Sequence, residues 1–440
     1  MDLTTGQNLI KEKRYPEALK YFLNILDIDS NNLELNFFLG RVYSELLDFK
    51  KSEKFYKKTL EINQNSIGCL INLAILYQNI GDKKNSIENF KKVIKLNKNY
   101  IYAYYGLYTI DPNLITENEF NHLKDLLNNN KINLKDKSLI YFLLSKKEKN
   151  NNNLKEEIKF LRNYHKYSFE SNIVYNKQSE FYYDNILGKF NHKINFINID
   201  EFDNNFKPIF IVGLPRSGST LVESILTSGK KKIKSFGESN FFNIAILDQI
   251  KNKIFNNNFD LNNFEYKLDL SLIKKSILSR YNFQNLNNEE DIVFIDKSLE
   301  NVFNIDVIVK IFPSARFIHT SRDIKDSILS IYFSMLPELS WTHSLKTIDS
   351  YISNYKKNII HFKNKYPNKL LNINLDNLTA NSDETTKQIF DFCKLEWSKE
   401  TLDFHLRKDL FSKTLSSTQI RSKISPKNQS IYKNYYYLLT

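Results

Sequence analysis

The sequence predicts an all-α repeat array followed by a three-layer α/β domain with a mainly parallel sheet. Three observations lead to this fold class. Residue types recur every 34 positions over the first hundred residues. Short apolar runs alternate with helical patterns in the second half, and one such run leads into a glycine-bounded loop that opens a helix. At roughly 150 residues per domain, a chain of 440 residues has room for two or three domains.

Composition excludes several classes of protein. Hydrophobic residues make up 41% of the chain and charged residues 26%, as in a globular protein with a core. Ten glycines and eight prolines exclude collagen, and a chain with only Cys69 and Cys393 is not a disulfide scaffold. No apolar run approaches the ~20 residues of a membrane span, and Met1–Gly6 lacks the features of a signal peptide. We expect a cytoplasmic protein.

The net charge of +13, from 63 Lys and Arg against 50 Asp and Glu, is open to two interpretations. It fits an anionic partner, and it also fits the bias towards lysine and asparagine that an AT-rich genome produces. Charge alone therefore does not predict nucleic-acid binding, and we expect none.

The repeat is visible as positions that keep their residue type when the chain is shifted by 34. Small residues recur, and so do aromatic ones. The small positions are Gly6, Gly40 and Ala74, then Ala18, Ser52 and Ser86, and the aromatic positions are Phe22, Tyr56 and Phe90. Small residues let two helices approach closely, and aromatic rings fill the groove between them.

This pattern resembles the tetratricopeptide repeat, a helix–turn–helix unit of that period. Three copies cover about residues 3–99, and 101–110 follows as a further helix. The closing proline of the family is missing at Ser30, Gln64 and Lys98. Such units stack on their neighbours. The resemblance leaves open whether the array binds a peptide, dimerises, or only supports the next domain.

The sequence divides into three parts: repeats over 1–110, a helical connector over 111–205, and a catalytic domain over 206–440. Within the connector, 138–145 and 154–167 have helical spacing and lie next to asparagine-rich loops. A degenerate pair of repeats would explain them.

A phosphate-binding loop opens the third part. The apolar run 208–212 predicts a buried strand, Gly213–Thr220 forms a loop, and apolar residues with helical spacing follow at Leu221, Val222, Ile225 and Leu226. In a strand–loop–helix unit of this kind, backbone N–H groups and the positive end of the helix face an anion.

The loop departs from the triphosphatase pattern G-x-x-x-x-G-K-[ST], because Ser219 stands where that pattern has lysine. Arg216 supplies a cation instead. This argues against phosphoryl transfer from ATP. The loop resembles the 5′-phosphosulfate loop of sulfotransferases, which use 3′-phosphoadenosine 5′-phosphosulfate (PAPS) as donor. The resemblance implies a donor-binding set of Pro215, Arg216, Ser217, Gly218, Ser219 and Thr220.

A second phosphate site is predicted downstream. Arg322 follows a predicted strand over 316–320, and Ser330 lies two turns along a predicted helix over 323–335. The carboxyl ends of strands in open α/β sheets are where ligands bind. In sulfotransferases an arginine and a serine at this spacing hold the donor's 3′-phosphate, and a guanidinium fork suits that dianion.

Further segments extend the resemblance. Gly237-Glu238 follows the first loop's helix, Asp296-Lys297 ends a predicted strand over 292–295, and Ser416–Arg421 matches a late motif; a fourth strand is predicted over 370–375. The whole chain is similar to a tetratricopeptide-repeat sulfotransferase, with a catalytic half like the protein-tyrosine sulfotransferases and a P-loop-like three-layer fold.

The resemblance also implies catalytic roles. Glu238 is the base for the acceptor proton, Lys297 and Arg216 are the cations that stabilise the transition state, and Ser416 is the hydroxyl near the bridging oxygen. Other sulfotransferases use a histidine. His319 is expected to be packed within its strand, while His343, in a predicted loop, stays open as an alternative base.

Three positions depart from the family pattern: Ile324 replaces a proline, Leu375 a tyrosine and Ile431 a basic residue. These changes are expected to weaken contacts with the donor without altering the catalytic centre.

The predicted function is transfer of a sulfuryl group from PAPS to a hydroxyl, with 3′,5′-adenosine bisphosphate as product. No metal is expected, because the seven histidines are scattered without ligand spacing. A peptide tyrosine, a glycan and a small metabolite all remain open as acceptors. A P-loop nucleotide kinase and a catalytically inactive repeat scaffold are the alternatives.

Overall fold

A computed structural model describes residues 2–129, 131–189, 193–198, 205–254, 265–281, 283, 291–407, 419–424 and 432–439. The chain separates into two compact units. The first is Met1–Tyr167 with Leu278–Asn282, and the second is Ser168–Ile277 with Phe283–Thr440.

The repeat region over residues 1–110 is a succession of helices in which each packs on the next in sequence. Its helices are α1 (Thr4–Lys11), α2 (Tyr15–Leu26), α3 (Leu33–Glu45), α4 (Phe49–Ile62), α5 (Ile67–Ile80), α6 (Lys83–Leu96) and α7 (Ile101–Ile110). The connector begins with a 3-10 turn at Pro112–Leu114, followed by α8 (Glu117–Leu126), α9 (Leu134–Asn150) and α10 (Leu154–Glu170). Asp48 and Asp82, 34 positions apart, cap α4 and α6 by accepting from the N–H groups of Lys51 and Asn85.

Recurring side chains explain how the repeats pack. A Cβ added to Gly40 would lie 2.6 Å from the ring of Tyr56, and one added to Gly6 would lie 2.3 Å from that of Phe22. The small residue at the next repeated position also makes a bond between helices. The Ser52 hydroxyl donates to the Gly40 carbonyl at 2.8 Å, and the Ser86 hydroxyl donates to the carbonyl of Ala74 at 2.8 Å.

In the connector, α9 and α10 are longer than the helices predicted over 138–145 and 154–167. A strand follows that the sequence did not predict: β1 (Lys193–Ile197) pairs in parallel with β4 (Glu265–Asp269). Polar and apolar residues alternate over Lys193–Phe196, but a strand of five residues carries little sequence signal, and its partner strand is distant in the chain.

The second unit contains the main sheet. Its strands are β2 (Phe206–Gly213), β3 (Lys234–Ser235), β5 (Ile292–Asp296), β6 (Arg316–Ser321) and β7 (Leu370–Asn374). In the described part of the chain they are all parallel, in the order β3-β5-β2-β6-β7. The α-helices that follow α10 in the chain are α11 (Ile173–Asn185), α12 (Ser219–Leu226), α13 (Phe241–Ile254), α14 (Leu270–Arg280), α15 (Ile305–Ile311), α16 (Ile324–Tyr332), α17 (Leu345–Lys365), α18 (Leu375–Ala380) and α19 (Ser382–Cys393).

Two predicted boundaries were wrong. Leu375 was expected to end a strand, but it begins α18, because the Asn374 side chain caps that helix by accepting from the N–H groups of Asp376 (2.9 Å) and Asn377 (3.1 Å). The helix expected over 323–335 is the shorter α16, and Asp323 is its N-cap.

The central strand β2 is buried on both faces, and its alternate residues meet different cores. Ile209 and Ile211 pack with aliphatic residues such as Ile225. On the opposite face, Phe210 stacks on Phe317 with ring centroids 5.4 Å apart. Because β2, β5 and β6 run in parallel, their carboxyl ends meet at one edge of the sheet, where Gly213, Asp296 and Ser321 lie.

The repeat packing can be tested with two glycines. Gly40→Ala should lower the free energy of unfolding of the repeat unit by about 1–2 kcal/mol, because the new methyl overlaps the buried Tyr56 ring. Gly68→Ala is the matched control. A Cβ there would have its nearest neighbours 3.9 Å away, and Gly68 is only the second residue of α5, so the change should stay within about 0.5 kcal/mol. Urea unfolding followed by far-ultraviolet circular dichroism measures both, and equal effects would contradict this packing.

Candidate active site

The loop Gly213–Thr220 joins the central strand to α12. Gly213 cannot carry a side chain, because a Cβ would lie 2.4 Å from Thr320 Oγ1 and 2.8 Å from Ser217 Oγ. Gly218 caps α12 with φ +94°, a left-handed conformation that favours glycine. Arg216 also has positive φ, +69°. These constraints form a tight loop that ends at the N–H groups of the first turn of α12.

The predicted donor-binding residues occupy different places in this loop. Ser219 and Thr220 are buried in the first turn of α12, and Pro215 and Arg216 are half-buried. The Ser217 hydroxyl donates to the Leu214 carbonyl at 2.7 Å, and its oxygen lies 2.7 Å from Thr320 Oγ1. The Ser217 side chain therefore ties the loop to β6.

Lys297 is the buried cation at the centre of the site. Its side chain is 0% exposed, yet its Nζ lies 2.7 Å from Glu238 Oε1 and 3.6 Å from Glu223 Oε2. Burial lowers the pKa of Lys297, but attraction to these two carboxylates outweighs burial, so the pKa is raised above its ordinary value. Lys297 is therefore a fixed ammonium at neutral pH.

The turn that carries Glu238 is held by Asp296. Ser239 Oγ donates to Asp296 Oδ2 at 2.7 Å, and the N–H of Ser298 donates to Oδ1 at 2.7 Å. The N–H of Lys297 donates to the carbonyl of Gly237 at 2.9 Å. Asp296 and Lys297, the pair identified in the sequence, thus fix the Gly237-Glu238 turn beside the end of β5.

Glu223 belongs to this cluster, and sequence reasoning missed it. It lies on α12, accepts a hydrogen bond from Ser235 Oγ at 2.5 Å, and its side chain is 14% exposed. Burial raises the pKa of Glu223, and the ammonium of Lys297 opposes that rise. A carboxylate inside an otherwise apolar helical pattern directly after a phosphate loop was the signal available in the sequence.

Arg322 and Asp326 form a second buried ion pair. Arg322 Nη2 lies 3.1 Å from Asp326 Oδ2, and both side chains are 7% exposed. The Tyr436 hydroxyl donates to Asp326 Oδ1 at 3.0 Å. The buried Nε of Arg322 has no hydrogen-bond partner among the described residues. Ser330 lies four residues beyond Asp326, on the same face of α16, and is buried.

His319 lies where the sequence predicted it, whereas His343 does not lie in a loop. His319 is buried in β6 with Nδ1 2.7 Å from Asn372 Oδ1, as expected of a packed residue. His343, expected in a loop, ends the 3-10 helix Ser340–His343 and packs edge-on against Phe169. Burial lowers the pKa of each to about 4.

Two of the three residues that depart from the family pattern, Leu375 and Ile324, lie among the described residues. Leu375 packs on the phosphate loop, since a Cβ added to Gly218 would lie 2.6 Å from Leu375 Cδ1. Ile324 is the first residue of α16. Ser416 and Ile431 lie outside the described residues.

Among the described residues, no group of three or more His, Cys, Asp and Glu side chains is arranged to hold a metal ion. No helix in the same ranges has the length and apolar character needed to cross a membrane.

Family models match two parts of this chain. The model described as Sulfotransferase family matches residues 208–399, and the model described as Tetratricopeptide repeat matches 33–66 and 67–100. The chain carries a sulfotransferase domain behind tetratricopeptide repeats. The fold class predicted from the sequence, helical repeats followed by a parallel-sheet sulfotransferase domain, is confirmed.

Individual relatives are distant. An uncharacterized protein from Aquifex aeolicus (strain VF5) is 23% identical over 240 residues, which are 53% of this chain and 31% of that protein. The match thus spans about a third of the relative's length.

Similar solved structures include the sulfotransferase domain from the Synechococcus PCC 7002 olefin synthase, with 14% identity and a TM-score of 0.37 over 53% of this chain and 91% of that one. The crystal structure of MamA has 18% identity and a TM-score of 0.31 over 39% of this chain and 96% of that one. A sulfotransferase from Mycobacterium tuberculosis H37Rv has 12% identity and a TM-score of 0.30 over 70% of this chain and 97% of that one.

Proposed function

We propose that the sulfotransferase domain moves a sulfuryl group from PAPS to an acceptor hydroxyl, with Glu238 as base. The contact of 2.7 Å between the buried Lys297 ammonium and the half-exposed Glu238 carboxylate carries this proposal. This contact joins a buried ammonium to a carboxylate that solvent reaches, at the sheet edge where the phosphate loop begins. Such a pair suits a reaction in which a proton leaves an acceptor while negative charge develops on a leaving phosphate.

The donor supplies an activated sulfuryl group on its 5′-phosphate. Glu238 removes the proton of the acceptor hydroxyl as the new oxygen–sulfur bond forms. The bond from sulfur to the bridging oxygen breaks, and its electron pair stays on the 5′-phosphate of the bisphosphate product. Lys297 and Arg216 stabilise the charge on that oxygen. Ser416, whose role rests on the family resemblance, remains a proposal.

We assign one phosphate-binding element to each end of the donor, the 5′-phosphosulfate and the 3′-phosphate. The tight loop Gly213–Thr220 presents helix N–H groups to the 5′-phosphosulfate. For the 3′-phosphate we propose Arg322 and Ser330. The buried Nε of Arg322 lacks a partner within the described ranges, and a phosphate oxygen would satisfy it.

The two alternative functions, a nucleotide kinase and an inactive scaffold, fit these residues less well. A nucleotide kinase needs a loop lysine for the terminal phosphates, and Ser219 stands there instead. An inactive scaffold would not require a lysine to be buried between two glutamates, because such a cluster is costly to desolvate.

The acceptor that we propose is a tyrosine of a peptide or protein, presented by the repeats over residues 1–110. This rests on the similarity of the catalytic motifs to the protein-tyrosine sulfotransferases. We propose a cytoplasmic location, because Cys69 and Cys393 are both unpaired thiols.

Donor binding is tested by calorimetric titration with 3′,5′-adenosine bisphosphate. Arg322→Ala should weaken binding by about tenfold to a hundredfold, the loss expected for charged hydrogen bonds to a phosphate. Lys325→Ala is the matched control, since it removes an exposed cation three residues away and should change binding little. ATP should bind poorly. Tight binding of ATP with no binding of the bisphosphate would instead favour the kinase.

The role of Glu238 is tested by Glu238→Gln. The variant should bind the bisphosphate like the wild type and lose about a hundredfold or more in the rate of sulfuryl transfer from labelled PAPS to a tyrosine peptide or p-nitrophenol. Glu396→Gln, which breaks a surface pair with Lys230, should leave the rate unchanged. Transfer that survives in Glu238→Gln would exclude Glu238 as the base.

A further inference from the structure

Lys297 has two carboxylate neighbours, and only one of them has a proposed chemical role. Glu238 is 50% exposed and lies where an acceptor could reach it. Glu223 is 14% exposed and approaches the same ammonium from α12, at 3.6 Å. The two carboxylates reach Lys297 from different elements, α12 and the turn after β3.

Transfer of the acceptor's proton to Glu238 leaves Glu223 as the anionic partner of Lys297. When Glu238 accepts the acceptor's proton it becomes neutral, and it can no longer balance the charge of Lys297. A buried ammonium without an anionic partner is strongly destabilised and tends to lose its proton. A neutral Lys297 could not stabilise the leaving phosphate oxygen at the moment when charge develops there.

Glu223 is built to stay in place through this step. Its Oε1 accepts from Ser235 Oγ at 2.5 Å, and Ser235 Oγ in turn accepts from the N–H of Gly237 at 3.2 Å. The helix that carries Glu223 begins at the phosphate loop. The charged groups that face Lys297 in the described residues are Glu223 from α12 and Glu238 from the turn after β3.

We propose that Glu223 is a positioning residue that keeps Lys297 charged and in place while Glu238 takes the acceptor's proton. This inference rests on the function proposed above. It assigns Glu223 no contact with donor or acceptor, since it acts through Lys297. The raised pKa of Lys297, to which Glu223 contributes, agrees with that role.

The test is the pH profile of kcat for sulfuryl transfer from PAPS, measured on the full chain with one acceptor throughout. In Glu223→Gln the alkaline fall in kcat should begin about one pH unit or more below that of the wild type, because Lys297 then loses its proton more easily. At neutral pH, kcat should fall by about tenfold, while binding of 3′,5′-adenosine bisphosphate changes by less than about threefold.

Two further variants separate this role from a structural one. Glu223→Asp keeps the charge at a greater distance, so its alkaline fall should lie between those of Glu223→Gln and the wild type. Glu396→Gln is the control and should give the wild-type profile. If the Glu223→Gln profile is only scaled down, with its alkaline fall unmoved, Glu223 is structural and the proposal is wrong.

Folding at each pH is checked by circular dichroism. If Glu223→Gln does not fold, Glu223→Asp decides alone: a downward shift of its alkaline fall supports the proposal, and an unmoved one overturns it. If the wild type transfers no sulfuryl group, the proposed function fails, and the role of Glu223 fails with it.

Discussion

The buried ammonium of Lys297 is the constraint on which the rest of the site depends. An ammonium withdrawn from water requires anionic partners in good geometry. The two glutamates that provide them come from the helix after the phosphate loop and from the turn after β3. Satisfying one lysine therefore brings the phosphate loop and the Glu238 turn into a single cluster.

The parallel sheet makes this convergence possible. The core on one face of β2 is mainly aliphatic, and on the other face Phe210 stacks on Phe317, so both faces of the central strand are packed. With neighbouring strands running the same way, the residues that follow Gly213, Asp296 and Ser321 all emerge at one edge. The phosphate loop, the Lys297 cluster and the Arg322–Asp326 pair are consequences of that geometry.

Much of this could be predicted from the sequence, because the informative signals were local. The 34-residue spacing predicted the repeats, and the lysine-free loop predicted the sulfotransferase domain. What sequence reasoning missed depends on long-range contacts. Glu223 is recognised as part of the site only through its contact with Lys297, and Tyr436 only through its hydrogen bond to Asp326. Leu375 continued the alternation of Leu371-Asn372-Ile373-Asn374, and only the cap formed by Asn374 showed that it begins a helix.

A crystal structure of the complex with 3′,5′-adenosine bisphosphate tests the central claim most directly. The account predicts the 5′-phosphate in the loop Gly213–Thr220, with Lys297 Nζ beside it, and the 3′-phosphate on Arg322 and Ser330. A nucleotide bound in the opposite orientation, or bound away from Lys297, would contradict it.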